Sequence, residues 1–103
     1  MIDTWGAKSQ FSYTGSVKEG TRITYGIGSK ISVSSTQYKD LLNQFRGRTV
    51  SVSVSRSKTE LQSLGNWLKS NVTNTAIAGY VAPILVLEGY ASRTSNNEVK
   101  FNA

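Results

Sequence analysis

The sequence contains no cysteine and no histidine, and its only proline is Pro83. The absence of cysteine excludes disulfides, thiolate nucleophiles and cysteine-based zinc sites together. A small secreted domain without covalent staples would be unusual, so an intracellular, cytoplasmic protein is expected. The absence of histidine removes the usual proton shuttle near neutral pH and the commonest transition-metal ligand. Acids are scarce too: Asp3, Glu19, Asp40, Glu60, Glu88 and Glu98 stand singly, at no spacing that pairs two of them on one helix face or strand. These gaps leave few routes to acid–base, nucleophilic or metal chemistry, so the chain is expected to be non-enzymatic, with no cofactor and no metal site. Long apolar runs are also missing. Nothing approaches the roughly 18 to 20 apolar residues that span a bilayer, and residues 1–10 lack the basic start and apolar stretch of a signal peptide, so no membrane partner is expected.

What the sequence does have is an excess of cations. Twelve Lys and Arg face six acids, for a net charge of +6 and an isoelectric point near 9.8. That balance favours polyanionic partners through long-range attraction and counterion release. With 103 residues, 38% of them hydrophobic, there is room for one core and not two. A single domain over residues 21–103 is expected, preceded by residues 1–20 as an N-terminal arm or short strand pinned by Trp5, Phe11 and Tyr13.

Periodicity assigns the elements. Ile23, Tyr25 and Ile27 share one face of an alternating run, Gly28-Ser29 offers a turn, and Ile31 and Val33 resume beyond it, which predicts a β-hairpin. Ser34 with Gln37 fits a capping box, and Tyr38, Leu41, Leu42 and Phe45 recur at helical spacing. Gly47 supplies a left-handed stop, so the spacing predicts a helix over residues 35–46. Residues 49–55 alternate strictly, with Val50, Val52 and Val54 on one face and Ser51, Ser53 and Ser55 on the other, as in a strand with one wet face. Thr59 with Gln62 makes a second capping box, and Leu61, Leu64, Trp67 and Leu68 form the apolar stripe of a helix ending near Asn71. After a polar break at residues 72–75, Ile77, Tyr80, Val81, Ile84 and Leu85 predict a third helix, kinked or split by Pro83 and closed by Gly89. Residues 90–93 and 98–101, joined by a turn over 94–97, predict a terminal hairpin with Val99 and Phe101 facing inward.

From residue 35 onward the order is helix, strand, helix, short turn, helix, hairpin. The second helix carries Gly65-Asn66-Trp67-Leu68-Lys69, residues 71–74 make the turn and residues 75–88 the third helix. The phrase Leu85-Val86-Leu87-Glu88-Gly89-Tyr90-Ala91 then leads into the hairpin. On these features residues 35–102 resemble the winged helix-turn-helix superfamily. The expected fold class is α+β: a winged-helix-like three-helix unit with an N-terminal β-hairpin or arm and a C-terminal β-hairpin. The resemblance implies a DNA-binding protein, a transcriptional or replication accessory factor. Its third helix would enter the major groove of duplex DNA with Thr73, Asn74 and Thr75 nearest the bases, and its wing would carry Arg93 and Lys100.

Arg46, Arg48, Arg56 and Lys58 bracket the Val/Ser strand with no intervening acid, and Lys69 lies on the second helix; all five are candidate phosphate contacts. The simpler alternative is two solvated pairs about 20 Å apart, since a strand advances about 3.3 Å per residue. A second function also stays open. The outward face of the third helix reads as Ala78, Gly79, Ala82 and Val86, which offers no base-reading side chain and suits close packing against another helix or chain. An interaction, inhibitor or assembly module, a homodimer included, would dock through that face or an edge strand. Two motifs are set aside. Gly26-Ile27-Gly28-Ser29-Lys30 lacks the spacing of a phosphate loop and leads into a strand, and Trp5, Tyr13 and Tyr25 are read as packing residues before base-stacking ones.

Overall fold

The computed structural model describes residues 1–53 and 62–103, so Val54, Ser55, Arg56, Lys58, Thr59 and Leu61 lie outside the described residues. Alternation builds the first sheet. Strands β1 (Ile2–Asp3), β2 (Gln10–Ser16), β3 (Gly20–Tyr25) and β4 (Ser29–Ser34) form an antiparallel meander in that order. The register sets Phe11 opposite Tyr25, Tyr13 and Ile31 opposite Ile23, and Thr21 opposite Val33, so one face gathers the apolar side chains. Strand β2 lies in the segment read as an arm, and its Phe11–Tyr13 alternation is the local signal for it. The expected continuation of β3 to Ile27 does not occur. Gly26 and Gly28 take φ of 58° and 81° and reverse the chain between Tyr25 and Ser29, leaving Ile27 fully exposed at the tip.

Helix α1 (Ser35–Phe45) starts and stops where its local chemistry dictates. The Ser34 hydroxyl accepts from the Gln37 amide at 3.1 Å and the Gln37 side chain accepts from the Ser34 amide at 2.9 Å. Gly47 follows the end of the helix at φ 70°. Tyr38, Leu41 and Phe45 are buried, and the Tyr38 hydroxyl shares a 2.7 Å hydrogen bond with Thr21 on β3.

The second sheet has strands β5 (Thr49–Ser51), β6 (Ala91–Arg93) and β7 (Glu98–Phe101) in the order β5-β7-β6. Val99 and Phe101 face inward as expected, and Phe101 lies 5.3 Å from Phe45 between ring centres. Pairing of β5 stops at Ser51 because its partner Glu98 is the first residue of β7; the Val52 amide donates instead to Asn97 in the turn, at 2.7 Å.

Helix α2 spans Leu64–Asn71, and the Thr59 half of the expected Thr59/Gln62 box lies outside the described residues. Gln62 sits at φ 64°, which no helix accommodates, and Ser63 becomes the cap, accepting from the Asn66 amide at 3.0 Å. Its first turn presses on the end of β5. The Gly65 amide donates to Val52 at 2.9 Å, and any Cβ at Gly65 would collide with the Ser53 carbonyl oxygen.

Helix α3 (Ala78–Leu87) begins three residues after Thr75, with Ile77 at its cap position and no side chain bonding its first amides. Pro83 neither splits nor ends it. Proline has no N–H to give to the carbonyl four residues back, and the Trp5 amide takes that Gly79 carbonyl at 2.9 Å. Ala78 and Ala82, expected on the outward face, are buried with Val81, Ile84 and Leu85, while Gly79, Pro83 and Val86 are partly open and Leu87 is exposed. The reason is composition: apart from Tyr80 the helix has no polar side chain, and such a helix is covered on more than one side. The first sheet supplies part of the cover. Tyr80 stacks on Tyr25 at 4.8 Å and meets Phe11 edge-on at 5.3 Å. At the far end, Glu88 accepts from the Tyr13 hydroxyl at 2.7 Å and from the Val17 amide at 2.9 Å. One buried cluster therefore runs through both sheets and all three helices, an α+β architecture. Among the described residues no helix is long and apolar enough to cross a membrane.

Two predictions arise from these contacts. Pro83→Ala restores an amide that competes for the Gly79 carbonyl, so the Trp5 amide should exchange with solvent faster, as read by hydrogen exchange; an unchanged rate would contradict the proposed exchange of partners. Burial pushes the Tyr38 and Tyr13 phenols up to about 12, with the Glu88 carboxylate adding to the rise at Tyr13. A phenol that holds its proton more tightly when folded stabilises fully below its usual value of 10 and loses that contribution as pH climbs through about 12. Urea midpoints should thus be flat up to pH 10 and fall above it. Tyr38→Phe should cost about 1 to 2 kcal/mol at neutral pH, by orphaning the Thr21 hydroxyl, and should make the alkaline fall shallower.

Candidate nucleic-acid interface

Three of the expected cations lie on neighbouring backbone where α1 hands the chain to β5, with side chains that take different directions. Arg46 follows the last residue of α1 and Arg48 precedes β5. The carbonyl of Arg48 accepts from the Phe101 amide at 2.9 Å, and Gly47 donates to Asn102 at 3.0 Å, which lays this turn against the end of β7. Lys100 stands on β7 opposite Thr49 on one side and Ser92 on the other. Val99 and Phe101 point inward, so the row Thr49–Lys100–Ser92 points out, and all three residues are exposed. The Arg46 guanidinium donates to Asn43 Oδ1 at 3.2 Å; that of Arg48 donates to Gln62 Oε1 at 3.5 Å and lies 5.6 Å from the centre of the Phe45 ring. These partners are neutral, so the positive charge stays available to an anion.

Arg93 is placed differently. It lies opposite Val99, on the other side of the strand from the Lys100 row. Its guanidinium sits 4.3 Å over the Trp5 ring and donates to the Trp5 carbonyl at 3.3 Å, while its Nε donates to Ser95 at 3.3 Å. The Trp5 indole in turn donates to the Asn96 carbonyl at 2.7 Å. Arg93 and Trp5 thus clasp the turn of the C-terminal hairpin to the N-terminal segment.

Thr73, Asn74 and Thr75 lie in the connection ahead of α3, with Asn74 and Thr75 exposed and the Thr75 amide donating to the Thr73 hydroxyl at 3.4 Å. Lys69 is in the last turn of α2, where a cation complements the C-terminal carbonyls. Arg56 and Lys58 lie outside the described residues. Trp5 is buried and Tyr13 and Tyr25 are half-buried, which fits their reading as packing residues. Among the described residues no group of three or more acids gathers to hold a metal.

One feature was not read from the sequence. A groove of about 410 Å³ runs between α1 and α2, lined by Gln37, Asp40, Asn43, Gln44, Trp67 and Asn71. Its walls are two stripes at helical spacing, 37/40/44 and 67/71, and that spacing is the signal that was available. Trp67, assigned to the apolar stripe of α2, is only half-buried and borders this groove.

The two classes of cation separate by mutation. Arg93→Ala should lower stability by about 0.5 to 1 kcal/mol through loss of the Trp5 contact, whereas Lys100→Ala should stay within about 0.5 kcal/mol of the parent. Equal losses in urea unfolding would overturn the distinction. Comparison with protein-family models, with curated proteins and with solved structures finds no match to this chain.

Proposed function

We propose that the chain is a non-enzymatic nucleic-acid-binding protein on a winged-helix plan, with duplex DNA as its partner and backbone phosphates as the groups it holds. The placement of Arg46, Arg48 and Lys100 on neighbouring backbone, all exposed and with neutral amides as the side-chain partners of the two arginines, supports this reading. The order α1, β5, α2, α3, β6, β7, with the terminal hairpin pairing onto β5, supports the winged-helix plan. Phosphate contacts fix position without reading sequence. Base-edge contacts would fall to Thr73, Asn74 and Thr75, because α3 carries no polar side chain apart from Tyr80, whose ring packs on Tyr25 and Phe11.

One observation favours a second reading. Leu87 is 63% exposed beside partly open Val86 and Pro83, an apolar strip of α3 suited to a protein partner or a second copy of the chain.

Salt dependence tests the first reading. Three phosphate contacts on duplex DNA predict a log–log slope of affinity against salt of about −3, steepening towards about −4.5 if Arg56 and Lys58 also engage. Lys100→Ala should reduce the slope by about one. Affinity that is level between about 50 and 200 mM salt would sink the proposal. Leu87→Arg, followed on a sizing column, would instead dissociate an assembly formed through α3.

A further inference from the structure

The groove between α1 and α2 brings together three kinds of group. Trp67 offers a half-buried aromatic ring. Asp40, Gln44 and Asn71 line the same space, giving a carboxylate acceptor and amides that both donate and accept. At one end Asn43 Oδ1 holds the Arg46 guanidinium at 3.2 Å, so a cation stands at the rim. The groove is also braced. Gln37 bonds the Ser34 amide at 2.9 Å and reaches the Asn71 carbonyl at 3.4 Å, linking α1 to α2, and the Asn71 amide bonds the Trp67 carbonyl at 2.9 Å. Asp40 and Gln44 stand exposed with no such structural task among the described residues.

We infer that this groove binds an unpaired nucleobase, stacked on Trp67, with its edge hydrogen-bonded by Asp40, Gln44 and Asn71 and its phosphate at Arg46. Flat aromatic rings accept the π-face of any base, and amides with a carboxylate match the donors and acceptors along a base edge. A volume of about 410 Å³ falls in the usual range of small-ligand sites. A sugar could use the ring and the amides, but the cation at the rim is matched by a phosphate attached to the ligand. Asp40 accepts from an exocyclic amino group, which adenine, cytosine and guanine carry and thymine lacks. This inference goes beyond the duplex reading, because it needs only an unpaired nucleotide and does not depend on Arg48 or Lys100.

The test uses the whole chain with short single-stranded oligodeoxynucleotides of A, C, G or T, a duplex of equal length, free CMP, GMP and TMP, and methyl glucoside as the sugar probe. Single strands and free CMP or GMP should quench indole emission and saturate, with the T oligonucleotide weakest. Trp67→Leu, which keeps an apolar side chain against the core, should weaken single-strand binding at least about fivefold and abolish most of the quenching. Asp40→Asn, at an exposed position, should leave the fold intact by circular dichroism and narrow the gap between the T strand and the others. Quenching by CMP or GMP without salt-dependent duplex binding would keep this inference and remove the phosphate patch. Unaltered single-strand affinity in Trp67→Leu, saturation by the glycoside alone, or no nucleotide binding at millimolar concentration would overturn it.

Discussion

Pro83 leaves the carbonyl of Gly79 without its helical donor, and the backbone amide of Trp5 fills the vacancy at 2.9 Å. A carbonyl left unpaired there would cost about 1 to 3 kcal/mol, so the proline creates a specific demand that a distant segment must meet. Meeting it lays the chain between β1 and β2 on the first turn of α3. The Trp5 ring is then carried beneath Arg93, and its indole nitrogen reaches the turn of the C-terminal hairpin. One missing hydrogen therefore fixes where both ends of the molecule meet.

The opposite end of α3 is held by a contact that runs against simple helix electrostatics. An acid at a helix C-terminus faces carbonyl dipoles of its own sign, a penalty of about 0.3 to 1 kcal/mol. Glu88 offsets this by accepting from the Tyr13 hydroxyl and the Val17 amide, and hydrogen bonds to a charged group contribute about 1.5 to 3 kcal/mol each. Between Trp5 and Glu88 the first sheet lies along a helix that has almost nothing polar to show to water. The same cover bears on function. With Ala78 and Ala82 buried, exposed polar side chains are found instead at the α1–β5 turn, along the outer row of the second sheet, ahead of α3 and in the groove between α1 and α2.

Residues of one type do different work according to their neighbours. Arg93 and Lys100 lie one residue apart in register, yet alternation along the strands sends them to opposite sides. On one side Arg93 meets an aromatic ring and two carbonyls and becomes a structural clasp; on the other Lys100 stands between Thr49 and Ser92 in water. Trp5 and Trp67 divide in the same manner, one enclosed by the clasp and the other left at the border of a polar groove.

Local interactions were legible from the amino-acid order. The Ser34/Gln37 box, the stop at Gly47, the inward Val99 and Phe101 and the mixed α+β class all rest on contacts within a few residues or on a fixed period, so reading the chain in order finds them. The cap of α2 at Ser63 was not read from the sequence; it stands out only once Gln62 is seen at φ 64°. The start of α3, the docking of β2 and the backbone adjacency of Arg46, Arg48 and Lys100 needed the folded chain. The last two depend on partners dozens of residues away, and no local period encodes them. Sequence determined the three helical segments, the hairpins and the excess of cations over acids. Tertiary structure decided which faces meet water, because the partial cover of a nearly all-apolar helix and the pairing of one orphaned carbonyl are settled only when the whole chain closes around them.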